Sequence, residues 1–176
     1  THGLGPLAQC MNINRGDQFD YLVSMGGNSR GLNLFAAKKF GPDSPQARQK
    51  YAQSDIVTTL IRTKNGGTIF LKFDMCSPRP YSRIDLLQGT RGIFRGYPEE
   101  RIYIEGKSPE QAWEATDKYR EEYEHPLWKA LGESGGMDYI ENYRLVKCLR
   151  MGTYPDMDVY DAAAWSVVSE LSERSI

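Results

Sequence analysis

The sequence is poor in residues that build metal centres and covalent frameworks. Cys10, Cys76 and Cys148 are odd in number and far apart, no C-x-x-C occurs, and only His2 and His125 are available as further soft ligands. That spacing argues against a structural zinc site or a full disulfide framework. Buried free thiols are the default, with room for one disulfide, and no metal is expected. Also missing is any apolar run approaching the ~20 residues that span a bilayer, so no membrane partner is expected. Charge of one sign is missing too: 22 basic and 23 acidic residues are mixed along the chain, for a formal net charge of −1. A nucleic-acid surface would show clustered lysine and arginine, so no nucleic-acid partner is expected.

Several catalytic signatures are absent as well. Gly3-Leu4-Gly5 and Gly89-Thr90-Arg91-Gly92 lack the strand–turn–helix setting and downstream acidic residue of a dinucleotide loop. There is no G-x-S-x-G and no persuasive Ser/His/Asp set. Asp74, Asp85, Glu99 and Glu100 read as solvated strand or turn residues, not as the paired carboxylates of a conventional glycoside hydrolase. The chain starts at Thr1 with neither an initiator methionine nor a signal sequence, and so reads as processed or cut from something longer.

What is present suits a single folded domain over residues 1–176. With 40% hydrophobic and 26% charged residues, a chain of this length buries a sizeable core. Its eleven tyrosines and three tryptophans fit a carbohydrate-facing or interface-rich protein, and fit an ordinary core nearly as well.

One stretch, 67–92, organises the rest. Ile69, Leu71, Phe73 and Met75 alternate with Thr68, Phe70, Lys72 and Asp74, the period of a strand with one face better buried. A second strand is expected over 82–88. Between them lies Cys76-Ser77-Pro78-Arg79-Pro80-Tyr81-Ser82. Its two prolines fix φ and withhold two N–H donors, so it cannot continue a central ladder. A stiff loop of this kind holds Arg79 and Tyr81 in place against a small polar ligand. The plainer reading is a sheet-edge connection with an exposed arginine and a packed tyrosine, and the residues alone favour it.

Along the chain, Leu4, Leu7, Ala8 and Met11 mark one face of an opening helix, with Thr1 as its cap and Pro6 in an early turn. His2 then stands at the helix N-terminus, where the macrodipole favours the neutral ring. A neutral histidine accepts or relays a proton, whereas a frayed terminal histidine does nothing. Strands are expected over 19–25 and 55–64, the latter joined to 67–75 by Asn65-Gly66-Gly67. Short helices are expected near 32–39 and 46–53. The strands continue as one meander to residue 105. Helices follow over 111–123 and 137–151, and over 158–174 with Val159, Ala162, Ala163, Val167 and Leu171 towards the core. This order predicts an α+β fold with an open, mainly antiparallel sheet and helices on one face.

Several blocks carry a specific resemblance. Thr1-His2-Gly3-Leu4-Gly5-Pro6, Met11-Asn12-Ile13-Asn14-Arg15-Gly16-Asp17 and Asp20-Tyr21-Leu22-Val23-Ser24-Met25 open the chain. Cys76-Ser77-Pro78-Arg79-Pro80-Tyr81-Ser82-Arg83 and Gly152-Thr153-Tyr154-Pro155-Asp156-Met157-Asp158-Val159-Tyr160-Asp161 follow. Together they resemble the C-terminal portion of NAD-dependent alpha-N-acetylgalactosaminidases, glycoside hydrolase family 109, within the Gfo/Idh/MocA oxidoreductase superfamily. The resemblance covers nearly the whole chain. It implies a C-terminal substrate-binding and oligomerisation domain, with the N-terminal Rossmann domain and its NAD absent from this chain. It implies a glycoside substrate and a route of oxidation at C3, elimination at C1, addition of water and return of hydride. That route needs no carboxylate pair. It implies sugar contacts by Thr1, His2 and Tyr81, with His2 assisting proton transfer. Arg79 is added to the substrate-binding set from its loop position alone.

The resemblance also implies partners: the Rossmann domain of the parent chain, and a second copy through the open sheet face. Two alternatives remain. A sugar or cyclitol dehydrogenase of the same superfamily would reduce NAD stoichiometrically. A non-catalytic oligomerisation module would be indifferent to Tyr81→Phe.

Overall fold

A computed structural model describes residues 2–176, and of residues 132–134 the backbone alone. The architecture is α+β with antiparallel sheets and helices. Two compact units divide it, Thr1–Tyr81 with Tyr160–Ile176, and Ser82–Val159.

The first unit is built on three strands, β1 (Phe19–Gly26), β2 (Ile56–Thr63) and β3 (Thr68–Asp74), antiparallel in that order. The Asn65-Gly66 turn joins β2 to β3 as its sequence predicts, with Gly66 at φ 89° and the Gly66 N–H bonded to the Thr63 carbonyl. Two helices supply the apolar cover of one sheet face: α1 (Leu4–Cys10) and α6 (Val159–Ser175). Leu4, Ile61, Ile69 and Val168 form the buried centre, with Leu7, Met11, Phe19, Leu22, Leu71 and Trp165 packed around it. Gly5 lets α1 approach α6, since a Cβ there would stand 3.2 Å from the Trp165 ring. The opposite sheet face keeps Tyr21, Val23, Met25, Leu60 and Phe70 exposed.

Two departures from the expected phasing have local causes. Alternation along 19–25 predicts Phe19 on one face with Tyr21, Val23 and Met25. The register instead slips between Phe19 and Tyr21, and this bulge turns Phe19 into the core and leaves the other three outward. In α6 the expected inward residues Val159, Ala162, Ala163, Val167 and Leu171 are all exposed, whereas Asp161 and Val168 are buried. The helix is oriented by a charge: fully buried Asp161 accepts from Arg15 at 2.8 and 2.6 Å and from Asn14 Nδ2 at 3.1 Å. Asp17, the neighbouring acid of the same loop, accepts from the Gln18 and Asn65 N–H groups. The Arg15-Gly16-Asp17 tripeptide is thus spent on internal bonds.

Beside the sheet, α2 (Gly31–Phe40) stands where a helix is expected over 32–39, and α3 (Pro45–Arg48) is shorter than the one expected over 46–53. The amide of Asn33 ties them together by donating to the Ala47 and Gln49 carbonyls.

In the second unit β4 (Leu86–Gly89), β5 (Gly92–Arg95), β6 (Arg101–Ile104) and β7 (Glu114–Ala115) form a sheet in that order. The expected meander therefore divides into two sheets. The strand expected over 82–88 begins only at Leu86, because Ile84 adopts φ 53°, outside the extended region. The helix expected over 111–123 is reduced to α4 (Asp117–Tyr123). Gln111 lies at φ 54°, and Glu114 pairs with Ile102 on β6. Ser108 does not cap a helix; its hydroxyl takes the Ile104 N–H and donates to Glu114. The last helix of this unit, α5 (Pro126–Met151), has the His125 ring as its cap and non-helical Gly136 within it. It ends on left-handed Gly152, at φ 65°.

Candidate active-site loop

The prolines of the 76–82 segment deny it a sheet ladder, so side chains and close packing must hold it. Asp74, the last residue of β3, supplies the first anchor. One carboxylate oxygen accepts the Ser77 N–H at 3.1 Å. The other lies 3.3 Å from Lys72 Nζ and 3.4 Å from Arg79 Nε. The Asp74 side chain is only 3% exposed, so the sequence-based reading of it as a solvated strand residue is wrong. Burial pushes its acidity towards the neutral form, but hydrogen bonds from Ser77 and the Lys72 cation outweigh this and hold the carboxyl below its usual range.

Cys76 supplies the second anchor. A Cβ on Gly31 would stand 2.4 Å from Cys76 Cβ, so the loop packs against the start of α2 only because residue 31 is glycine. Burial, and then the nearby Asp55 and Asp74 carboxylates, push the Cys76 thiol upward in pKa. It is a packing group and not a poised nucleophile. All three cysteines are free, and only Cys148 is fully buried.

From these anchors the loop presents its two singled-out side chains. Arg79 is 35% exposed on the Asp74 carboxylate, and Tyr81 is 74% exposed. The arrangement offers a guanidinium and a phenol to an outside ligand from one proline-stiffened segment. It agrees with the exposed arginine of the plainer reading and not with its packed tyrosine. His2 lies exposed in the turn before α1, on a separate element of the same unit. Gly3 precedes the first helical residue, with no side-chain cap. Thr1, expected both as that cap and as a sugar contact, lies outside the described residues.

Three carboxylates of the second unit are engaged. Glu99 pairs with Arg101, and Glu100 accepts from Arg120 and Thr116. Glu114 gathers Lys118, Ser108 and Tyr119, which pull its pKa down to about 2. Glu114 is therefore ionised near neutral pH and is no proton donor there. Among the described residues no cluster of His, Cys, Asp and Glu is arranged for a metal ion, and no helix is long and apolar enough to cross a membrane.

Among the described residues, the strand–glycine–helix passage from Gly26 to Gly31 does not fit a dinucleotide: it leaves an antiparallel strand, and its helix start is already filled. The Asp55 carboxylate accepts the Arg30 N–H at 2.8 Å and the Gly31 N–H at 2.9 Å, where a phosphate would need those donors.

The family model described as "Glycosyl hydrolase 109, C-terminal domain" matches residues 1–176. A "Glycosyl hydrolase family 109 protein" from Solibacter usitatus (strain Ellin6076) is 49% identical over 183 residues, covering 100% of this chain and 41% of that protein. Another of the same description, from Shewanella putrefaciens (strain CN-32 / ATCC BAA-453), is 48% identical over 187 residues, covering 100% of this chain and 40% of its own length. The chain thus spans about two-fifths of the length of these relatives. With the family model matched from end to end, this chain belongs to the glycosyl hydrolase 109 C-terminal domain family.

Proposed function

We propose that this chain is the substrate-side domain of a glycosidase acting on alpha-N-acetylgalactosaminides, catalytically incomplete without the remainder of its parent. The observation that carries this reading is the family match across all 176 residues. The stiff loop with exposed Tyr81 supports it, because a phenol held outward on a fixed backbone is suited to hydrogen-bond a sugar hydroxyl. Arg79 stands beside it as a charged donor to sugar oxygens. His2 serves at the sugar as a proton carrier, and Thr1 as a further contact.

NAD, supplying reversible hydride removal, belongs in this reading to an N-terminal Rossmann domain outside this chain. A second copy is the further partner, covering Tyr21, Val23, Met25, Leu60 and Phe70 on the open sheet face.

The test compares the full-length parent with the 1–176 chain, each given NAD and a nitrophenyl alpha-N-acetylgalactosaminide. The parent releases nitrophenol and the chain alone does not. In the parent, Tyr81→Phe raises KM by roughly tenfold, the loss of one sugar hydrogen bond. Turnover by the chain alone, or an unchanged KM in the variant, contradicts the reading.

A further inference from the structure

We infer that Asp74 is the positioning residue of this loop, setting Arg79 and Tyr81 for sugar binding without touching the sugar itself. The inference rests on the reading of the loop as the substrate side. Pro78 and Pro80 flank Arg79 and fix two of the segment's φ angles, so the stretch moves largely as one piece. A stiff piece is placed by what holds its ends. At the β3 end the holder is the Asp74 carboxylate, which binds backbone through Ser77 and side chain through Arg79 Nε. Its 3% side-chain exposure keeps water from competing for these contacts. Lys72, on the same face of β3, lies on the carboxylate from within the strand. Asp74 therefore links the sheet to the segment that carries both presented side chains, beside the packing of Cys76 against Gly31. Residues that orient a binding group in this way affect affinity through the group they hold.

The test uses the full-length parent with NAD and the nitrophenyl glycoside, and the variants Asp74→Asn, Asp74→Glu, Arg79→Ala, Tyr81→Phe and the double variant Asp74→Asn/Arg79→Ala. Asparagine can still accept the Ser77 N–H but loses the ionic hold on Arg79. Asp74→Asn is expected to raise KM about tenfold, more than it lowers kcat, and Asp74→Glu about threefold, since it keeps the charge but shifts it. The double variant is expected to bind no worse than Arg79→Ala alone, because the two act as one unit.

A purely structural carboxylate would lower the melting temperature and leave KM and this non-additivity untouched. Wild-type KM in Asp74→Asn, beside a raised KM in Tyr81→Phe, overturns the positioning role by itself. Unchanged KM in every variant overturns the loop reading and the positioning role with it. If Asp74→Asn fails to fold, Asp74→Glu decides, and a wild-type KM there overturns the inference.

Discussion

Asp161 carries the heaviest single-residue burden in the first unit. A carboxylate with no exposed surface is tolerable only because Arg15 meets it with two hydrogen bonds and Asn14 with a third. Arg15→Ala would remove the guanidinium that neutralises that charge and cost about 3 kcal/mol, read as a shift in the urea midpoint. A loss well under 1 kcal/mol would show that the pair does not hold α6. In the second unit the corresponding residue is Glu114. Its folded pKa of about 2 lies below its ordinary value, so the stability it contributes is full at neutral pH and is lost as pH falls towards 2. Glu114→Gln should flatten the acid limb of the unfolding curve in that window, and an unchanged limb would count against the hub. Neither residue was legible as structural. A single acid in an apolar helix reads as its solvent side, and only the three-dimensional meeting with Arg15, at the far end of the chain, reverses it.

At the level of elements, close approach decides where the candidate loop sits. Gly31→Ala would force its Cβ into Cys76 and displace either α2 or the loop, costing about 1–3 kcal/mol. The same variant in the full-length parent should raise KM, because the displaced segment carries Arg79 and Tyr81. A stability loss with wild-type KM would separate the packing from the function. Strand positions and the β2–β3 hairpin were legible, since alternation and Asn65-Gly66 are local signals. The division of the meander into two sheets was not. It falls in the stretch between β3 and β4, where Ile84 takes left-handed backbone, which no period announces in a branched aliphatic. The loop was legible as stiff from its prolines, but its anchor was not, because Asp74 continues the outward phase of β3.

For the whole molecule, the open sheet face of the first unit leaves apolar side chains exposed. Leu60 and Phe70 are paired across β2 and β3, and both are more than half exposed. If a second copy covers them, Phe70→Asp should convert the parent from dimer to monomer in light scattering with little change in melting temperature. A monomeric wild type at micromolar concentration would dismiss that interface. The fold class and the family were both legible, the first from the order of segregated elements and the second from specific blocks such as Cys76–Arg83. The site was legible in part: Tyr81 and Arg79 share one loop, whereas His2 stands on a separate element. The most direct test of the central claim is to run the full-length parent with catalytic NAD and a chromogenic alpha-N-acetylgalactosaminide in deuterated water. Release of the leaving group with deuterium at C2 of the freed sugar is the expected result. Accumulation of NADH from free sugars, with no leaving group released, would contradict it.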